Sequence, residues 1–415
     1  MKPKPRKWIW ALGIAALLTG GCSAVLKQVG GAYSHPPEEM ETVLSHGAKA
    51  LVARAYGDVE VGRLRDYHVH VVGVGAGNTG AEINPKMLSW LHPVSRFKAA
   101  VYMNSSGVVD LGNADREYME RLTRLAENTP GKGKFHLLAF DRNYNPDGTV
   151  NAARSELYIP NDYVMALADL RPDLFVPVIS VHPYRHDALA ELEKWAAQGA
   201  RFIKWLPNAQ GIDASDPAID PYYETMKKHG MVLLTHVGKE LAVDSGDAQA
   251  LGNPLLFRRP LDRGVTVIMA HGASLGDNED LDIPGDNPSA RADNFELFMR
   301  LMDDPRYGDN LFGEISAITQ FNRVPGPLLT LLERGDLHHR LVNGSDYPLP
   351  AINFLFQTRQ FLSLGMISQQ EQTYLREIYS VNPLVFDYVL KRILRHPETG
   401  ARFPPSLFQT HPRLE

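Results

Sequence analysis

The chain has 415 residues, 44% hydrophobic and 22% charged, a globular balance with enough apolar residues for a large core. A formal net charge of −5 and a pI near 6.3 argue against nucleic-acid binding, which calls for a basic surplus. The single cysteine has no partner for a disulfide within the chain.

The first residues form a separate unit. Lys2, Lys4, Arg6 and Lys7 precede an apolar run from Trp8 to Leu18. That run is too short to cross a bilayer as an ordinary helix and has the length of a signal peptide. Thr19-Gly20-Gly21-Cys22 follows and resembles a bacterial lipobox, with Thr19 standing where leucine is usual and Leu18 one place early. The pattern predicts a signal peptide over 1–21 and lipidation of Cys22. It implies a protein of the bacterial cell envelope, held by acyl chains on the periplasmic or extracellular face. Ser23 fits outer-membrane sorting where the host has an outer membrane. Loss of the four basic residues makes the remainder more acidic, so net charge is not expected to bind it to acidic lipid. Residues 22–61 read as a tether and lead-in, with helical spacing of Met40, Val43, Leu44, Ala48, Leu51 and Val52.

From residue 62 to 395 short apolar runs alternate with helical stretches. Strands are expected at 64–72, 135–141, 175–182, 202–206, 232–237, 266–271, 311–317 and 341–347. Helices are expected at 161–170, 187–198, 221–229, 253–263, 294–302 and 326–334, and closing helices at 353–364, 369–380 and 382–394. Near-continuous apolar strands alternating with helices predict a parallel sheet covered by helices. Eight such units suit an α/β fold, a (β/α)8 TIM barrel, in one domain. A long insertion over 74–133 follows the first strand, with 95–104 read as helix rather than as a ninth strand. Residues 396–415 read as an irregular tail.

The strand ends carry the chemistry. In Asp66-Tyr-His68-Val-His70 the two histidines lie two apart and project to one side, close enough to share a metal ion, with Asp66 on the same face. Lys204 interrupts an apolar run, where a lysine is costly unless paired or modified. His236, His271 and Asp346 close three later strands. Each taken alone reads equally well as a core histidine, a snorkelling lysine or a capping aspartate. In a barrel all of them meet at one mouth, the face that carries active sites, and together they read as a metal site. Arg185 is a candidate clamp for a substrate carboxylate or the partner of a neighbouring helix; Asn208 and Arg323 are further substrate-binding candidates. Glu314 and Ser316 are placed to hydrogen-bond a ligand histidine or to cap a loop. His338-His339 falls at the opposite face and reads as surface.

The ordered set Asp66-Tyr-His68-Val-His70, Phe202-Ile-Lys204-Trp-Leu-Pro207, Thr235-His236, Ala270-His271-Gly272 and Gly344-Ser-Asp346-Tyr-Pro348 resembles the amidohydrolase superfamily, and within it the amidohydrolase-2 branch that includes aminocarboxymuconate-semialdehyde decarboxylase. The resemblance implies a distorted barrel with one or two divalent metal ions at its mouth, zinc or alternatively manganese. By analogy His68, His70 and Asp346 bind the buried ion, His236 is a ligand, and His271 binds a second ion or acts on substrate. Lys204 matches the position that is carboxylated and bridges the metals in binuclear members. The implied reaction is hydrolysis of an amide, ester or lactone in a small-molecule substrate by metal-activated water, with Asp346 as general base. The same branch contains decarboxylases, which makes carbon–carbon lyase chemistry the alternative. Gly75-Ala-Gly77-Asn-Thr-Gly80 matches a dinucleotide-binding fingerprint, but Asn84-Pro85 leaves no helix opening at Gly80. Its glycines read instead as a loop free to move over the metal site. A non-catalytic lipoprotein on a barrel scaffold is the remaining rival.

Overall fold

Eight parallel strands form the centre of the protein, in a computed structural model that describes residues 26, 29, 31, 34–283 and 290–415. The expected signal peptide and Cys22 lie outside the described residues. The strands are β1 (Leu64–His70), β2 (Gly133–Leu138), β3 (Phe175–Ile179), β4 (Phe202–Trp205), β5 (Val232–His236), β6 (Thr266–Ala270), β7 (Leu311–Glu314) and β8 (Leu341–Val342). They pair in chain order. The β8 end closes onto β1 through Tyr67 N–H to Asn343 O (2.9 Å), Asp346 N–H to His68 O (2.7 Å) and His70 N–H to Tyr347 O (3.0 Å). The fold is the (β/α)8 TIM barrel that the alternation predicts.

Side chains alternate along each strand, so every second residue points inward. Phe202, Val232, Leu234, Ile268, Phe312 and Val342 fill the interior as an apolar layer. Each fully buried side chain there stabilises the fold by roughly 1.5–3 kcal/mol. Two residues on from Phe202, Leu234 and Phe312 come Lys204, His236 and Glu314, all buried. The period that builds the core therefore also delivers polar groups to the C-terminal mouth.

Helices Asn161–Leu170, Ala188–Ala197, Asp220–Lys228, Asn294–Asp303 and Gly326–Glu333 lie where the periodicity puts them. The stretch expected as one helix over 253–263 is a 3-10 turn, Pro254–Phe257, followed by a short helix, Arg258–Asp262. Pro254 and Pro260 lack the N–H that a continuous helix requires. The lead-in helix divides too. Met40–Val43 stops at Leu44, whose ψ is 140°. α1 (His46–Tyr56) then starts afresh, with the Ser45 side chain accepting the Ala48 N–H at 3.2 Å. Of the closing helices, 353–364 shrinks to Thr358–Ser363, whereas 382–394 stands as Pro383–Ile393, capped by Asn382 and buried along its whole length.

The insertion holds two helices, α2 (Pro93–Ser105) at the expected place and α3 (Ala114–Glu127). Its glycine loop agrees with setting the dinucleotide reading aside and corrects the reading of a loop free to move. Buried Asp115 of α3 accepts the backbone N–H groups of Val74 (2.7 Å), Gly75 (3.2 Å) and Ala76 (3.2 Å), and the Thr79 hydroxyl as well. The nest that would cradle a pyrophosphate is filled by the protein's own carboxylate. For the same reason the loop does not hang free over the site.

The C-terminal tail is irregular but packed. Phe403, Leu407, Phe408 and Leu414 are buried, and Leu414 joins the barrel's interior layer from the N-terminal face. His411 Nε2 donates to the His339 carbonyl at 2.9 Å, and His338 is half-buried with Nε2 2.8 Å from the Leu331 carbonyl. His339 is thus exposed, as read, and meets the tail only through its backbone, whereas the His338 ring packs against Phe403 of the tail with centroids 5.6 Å apart.

Candidate metal centre and catalytic site

The register of β1 against β2 shifts between Asp66 and Val69, and such a bulge re-aims the side chains beside it. His68 and His70 bring their Nε2 atoms to 3.3 Å. The Asp66 carboxylate turns to the backbone, where one oxygen accepts the N–H groups of His68 (3.1 Å) and Ser345 (2.8 Å). It ties the ligand-bearing ends of β1 and β8 together. His271 and Asp346 come just after their strands with φ of 58° and 60°. That left-handed conformation costs a non-glycine residue roughly 1–3 kcal/mol and clusters at functional sites.

Asp346 Oδ1 is 3.0 Å from His70 Nε2 and 3.5 Å from His68 Nε2, and its Oδ2 is 3.9 Å from His271 Nε2. Lys204 Nζ is 3.1 Å from His68 Nε2. The His271 ring centroid is 5.1 Å from that of His68 and 5.2 Å from that of His236. The six residues His68, His70, Lys204, His236, His271 and Asp346, dispersed over nearly 280 positions of chain, are brought into one cluster.

Behind them β7 supplies orientation. Glu314 Oε2 lies 3.1 Å from His68 Nδ1, and Ser316 Oγ lies 2.8 Å from His271 Nδ1 while donating to Glu314 at 2.6 Å. A carboxylate on Nδ1 holds the His68 proton there and leaves the Nε2 lone pair facing His70 and Asp346. Burial pushes Glu314 up to about 7 and pulls Lys204 down to about 8 and His236 to about 3. Burial, then the charge of Lys204, holds His68 well below the usual histidine range; burial, then Arg323, does the same for His271. These imidazoles are held neutral, the form that binds metal.

The donor set fits a divalent ion. Two imidazole nitrogens and a carboxylate oxygen converge within 3.5 Å, an arrangement of lone pairs that a cation among them stabilises. His236 Nε2 is buried with no hydrogen-bond partner among the described residues, although the Glu240 carboxylate is 3.4 Å away. His68, His70 and Asp346 are the three groups placed to hold the ion; His68, His271 and Glu314 form an overlapping trio. Mixed nitrogen and oxygen donors of this kind suit a divalent metal ion.

A cavity of about 110 Å³ opens above the cluster. The insertion roofs it with Ile83, Met87, Ala99, Tyr102 and Met103, and Ala242 and Val243 wall it from the loop after β5. Glu156 and Glu240 add the polar edge. Arg185 does not line it: the guanidinium is taken by Asp187, at the start of the helix Ala188–Ala197 (2.8 Å, two bonds), and by Asp141 (3.1 Å), so of its two readings the ion pair with a neighbouring helix holds and the substrate clamp does not. Asn208 is also held outside the lining, its Nδ2 donating to the Gly238 carbonyl at 3.1 Å. Arg323 is buried and reaches Ser274, three residues past His271, with NH1 to Oγ at 2.8 Å. Its Nε has no hydrogen-bond partner among the described residues, and neither do the buried Thr319 Oγ1 and Gln320 Nε2 on the same loop. Tyr102, Glu240, Thr319 and Gln320 carry no periodic or motif signal that marks them in the sequence. Only the spacing of Glu240, four past a strand-end histidine, hinted at proximity.

Among solved structures, an uncharacterised TIM-barrel protein from Bordetella bronchiseptica is similar, with 17% identity, 75% of this chain and 94% of that chain covered, and a TM-score of 0.46. So is 5-carboxyvanillate decarboxylase from Sphingomonas paucimobilis, with 14% identity, 79% and 96% covered, and a TM-score of 0.42. No curated protein matches the chain. The amidohydrolase family model matches residues 66–351, a segment that runs from Asp66 to just past Asp346. The chain belongs to the amidohydrolase family.

Proposed function

We propose that this protein is a metal-dependent hydrolase of small amides, esters or lactones, with His68, His70 and Asp346 holding a divalent ion and Asp346 serving as general base. The observation that supports it best is the position of the Asp346 carboxylate, one oxygen 3.0 Å from His70 Nε2 and the other turned to His271. A divalent ion held there supplies Lewis acidity and makes water acidic enough to act near neutral pH. Asp346 takes a proton at the edge of the ligand cluster and returns it to the leaving group. His271, kept neutral and oriented by Ser316, faces the same carboxylate from the far side and is placed to act on the substrate. Glu314 fixes His68, and the apolar roof limits water to the reacting face.

Zinc is the proposed metal, one ion with Lys204 unmodified or two with Lys204 carboxylated. Elemental analysis of protein purified without added metal or chelator tests this. About one ion per chain supports the mononuclear form and about two the carboxylated one. No metal, with no activation by zinc or manganese, overturns the reading.

A specific feature favours decarboxylation as the second reading. The Arg323 guanidinium is buried beside the histidines, bonded to a serine and with Nε unpartnered. A buried cation in that state suits a substrate carboxylate. Carbon dioxide release from aromatic carboxylic acids, set against ring opening of lactones, separates the two chemistries.

The proposed location is the cell envelope, with an acyl anchor on Cys22. The support is the basic, apolar and small-residue order of residues 2–22. Cys22→Ser is expected to move the protein from the membrane fraction to the soluble one.

A further inference from the structure

The roof of the site has a second face, turned away from the cavity. Residues 90–94 at the start of α2 are all exposed, with Trp90 at 69%, Leu91 at 87% and Val94 at 45%. Large apolar side chains contiguous and open to solvent mark an interaction surface. Arg96 stacks over the Trp90 ring at 3.8 Å and donates to the Leu88 carbonyl at 2.6 Å, so the tryptophan is held outward by a fixed partner. Leu241, also exposed, lies beside the same helix, its carbonyl accepting from Lys98 Nζ at 3.1 Å.

The charge of this element is of one sign. From Ile83 to Val109 there is no aspartate or glutamate, while Lys86, Arg96 and Lys98 are present, in a protein whose formal charge is −5. Exposed tryptophan and leucine rimmed by lysine and arginine is the composition of a segment that lies in the interface of an anionic bilayer. The overall acidity that argues against lipid binding therefore does not hold locally.

The N-terminal chain arrives at the same place. Leu26 and Val29 pack with Phe97 and Val101 of α2, and Asn104 Nδ2 donates to the Leu26 carbonyl at 3.2 Å. Cys22 is four residues before Leu26, at most about 14 Å of extended chain.

We infer that the outer face of the roof, built on Trp90, Leu91 and Val94 with Lys86 and Arg96, seats on the surface of an anionic phospholipid bilayer. The cavity, lined by Met87, Ala99, Tyr102 and Met103 from the other side of this element, then opens at the membrane surface.

Tryptophan fluorescence tests this directly. In the full chain carrying Trp8→Phe and Trp10→Phe, Trp90 is the one exposed tryptophan, since Trp195 and Trp205 are buried. On phosphatidylglycerol-containing vesicles its emission is expected to shift to the blue and to be quenched by acyl-chain-brominated lipid. Adding Trp90→Phe is expected to remove the quenched component, and Leu91→Asp or Lys86→Glu to weaken it. Trp90 that stays open to aqueous acrylamide on vesicles, with no quenching by brominated lipid, overturns the inference. So does Trp90 shielded from acrylamide before vesicles are added, which would mean that a second copy covers the face. Sedimentation with the vesicles reports the N-terminal anchor separately, so loss of anchoring and loss of roof docking are distinguishable.

Discussion

Asp346 is the residue on which the proposed chemistry turns, and its position makes a clean substitution possible. Asparagine keeps the size and one acceptor but takes no proton. Asp346→Asn is expected to lower turnover by about 10²–10⁴-fold while leaving the thermal transition in place; wild-type turnover in a metal-loaded sample would remove Asp346 as the base. Asp66 makes a prediction about pH. Burial pushes its carboxyl up to about 7, against the hydrogen bonds from Ser345 and His68 that lower it. Between about pH 4 and 7 the native state holds a proton that the unfolded chain has released, so this group's contribution to stability falls as pH rises through that window. Asp66→Asn retains the accepting oxygen and removes the titration. Urea melts of metal-free protein are expected to show the variant gaining on the wild type from pH 4 upwards, to about 4 kcal/mol above pH 7. Equal stability at pH 8 would mean that Asp66 ionises freely. At this scale the sequence was most informative about strand-end residues. His68, His70, His236, His271 and Asp346 are polar groups closing apolar runs, and a barrel leaves them one place to point. What it concealed was partnership. Nothing in the chain says that Asp66 turns to backbone rather than to metal, that Asp141 comes to Arg185 from another loop, or that Arg323 lacks a carboxylate, because each depends on which loops meet.

The strands and helices were legible to the degree that their patterns are local. The register shift in β1, the two-piece segment at 254–262 and the break at Leu44 each follow from a single bulge, proline or cap that overrides an otherwise continuous period. The insertion was harder, because its opening loop is tied to α3 by one buried acid rather than by a motif. Asp115 gathers three part-buried backbone donors and a hydroxyl. Asp115→Ala is expected to cost about 2–4 kcal/mol, part of it recovered as water enters, and to make residues 74–80 a new site of limited proteolysis. Proteolysis unchanged from wild type would show that the loop is held by its other contacts. Because that loop runs between Val72 and Ile83, which both line the cavity, the variant is also expected to raise KM more than it lowers kcat.

For the molecule as a whole, the barrel was readable from eight alternating units, but its lower end was not. The last twenty residues have no period, and Pro404-Pro405 suggests a free tail. In the structure the barrel needs them. A closed sheet of eight strands leaves an opening at the N-terminal face, and Leu414 fills it, touching the layer that includes Tyr67, Phe202 and Phe312. Phe312 packs edge-on against His411 with ring centroids 4.8 Å apart. Phe403, Leu407 and Phe408 are buried alongside. Four such side chains at roughly 1.5–3 kcal/mol each contribute about 6–12 kcal/mol, comparable with the 5–15 kcal/mol net stability of a typical domain. A chain ending at Arg402 is therefore expected to lose its cooperative unfolding transition. Leu414→Ala is the milder variant, expected to cost about 2–5 kcal/mol with metal content unchanged, since the plug and the ligand cluster sit at opposite ends of the barrel. A wild-type denaturation midpoint for Leu414→Ala would show that the tail only rests on the barrel, and a loss of metal would show that the two ends are coupled through the interior layer between them.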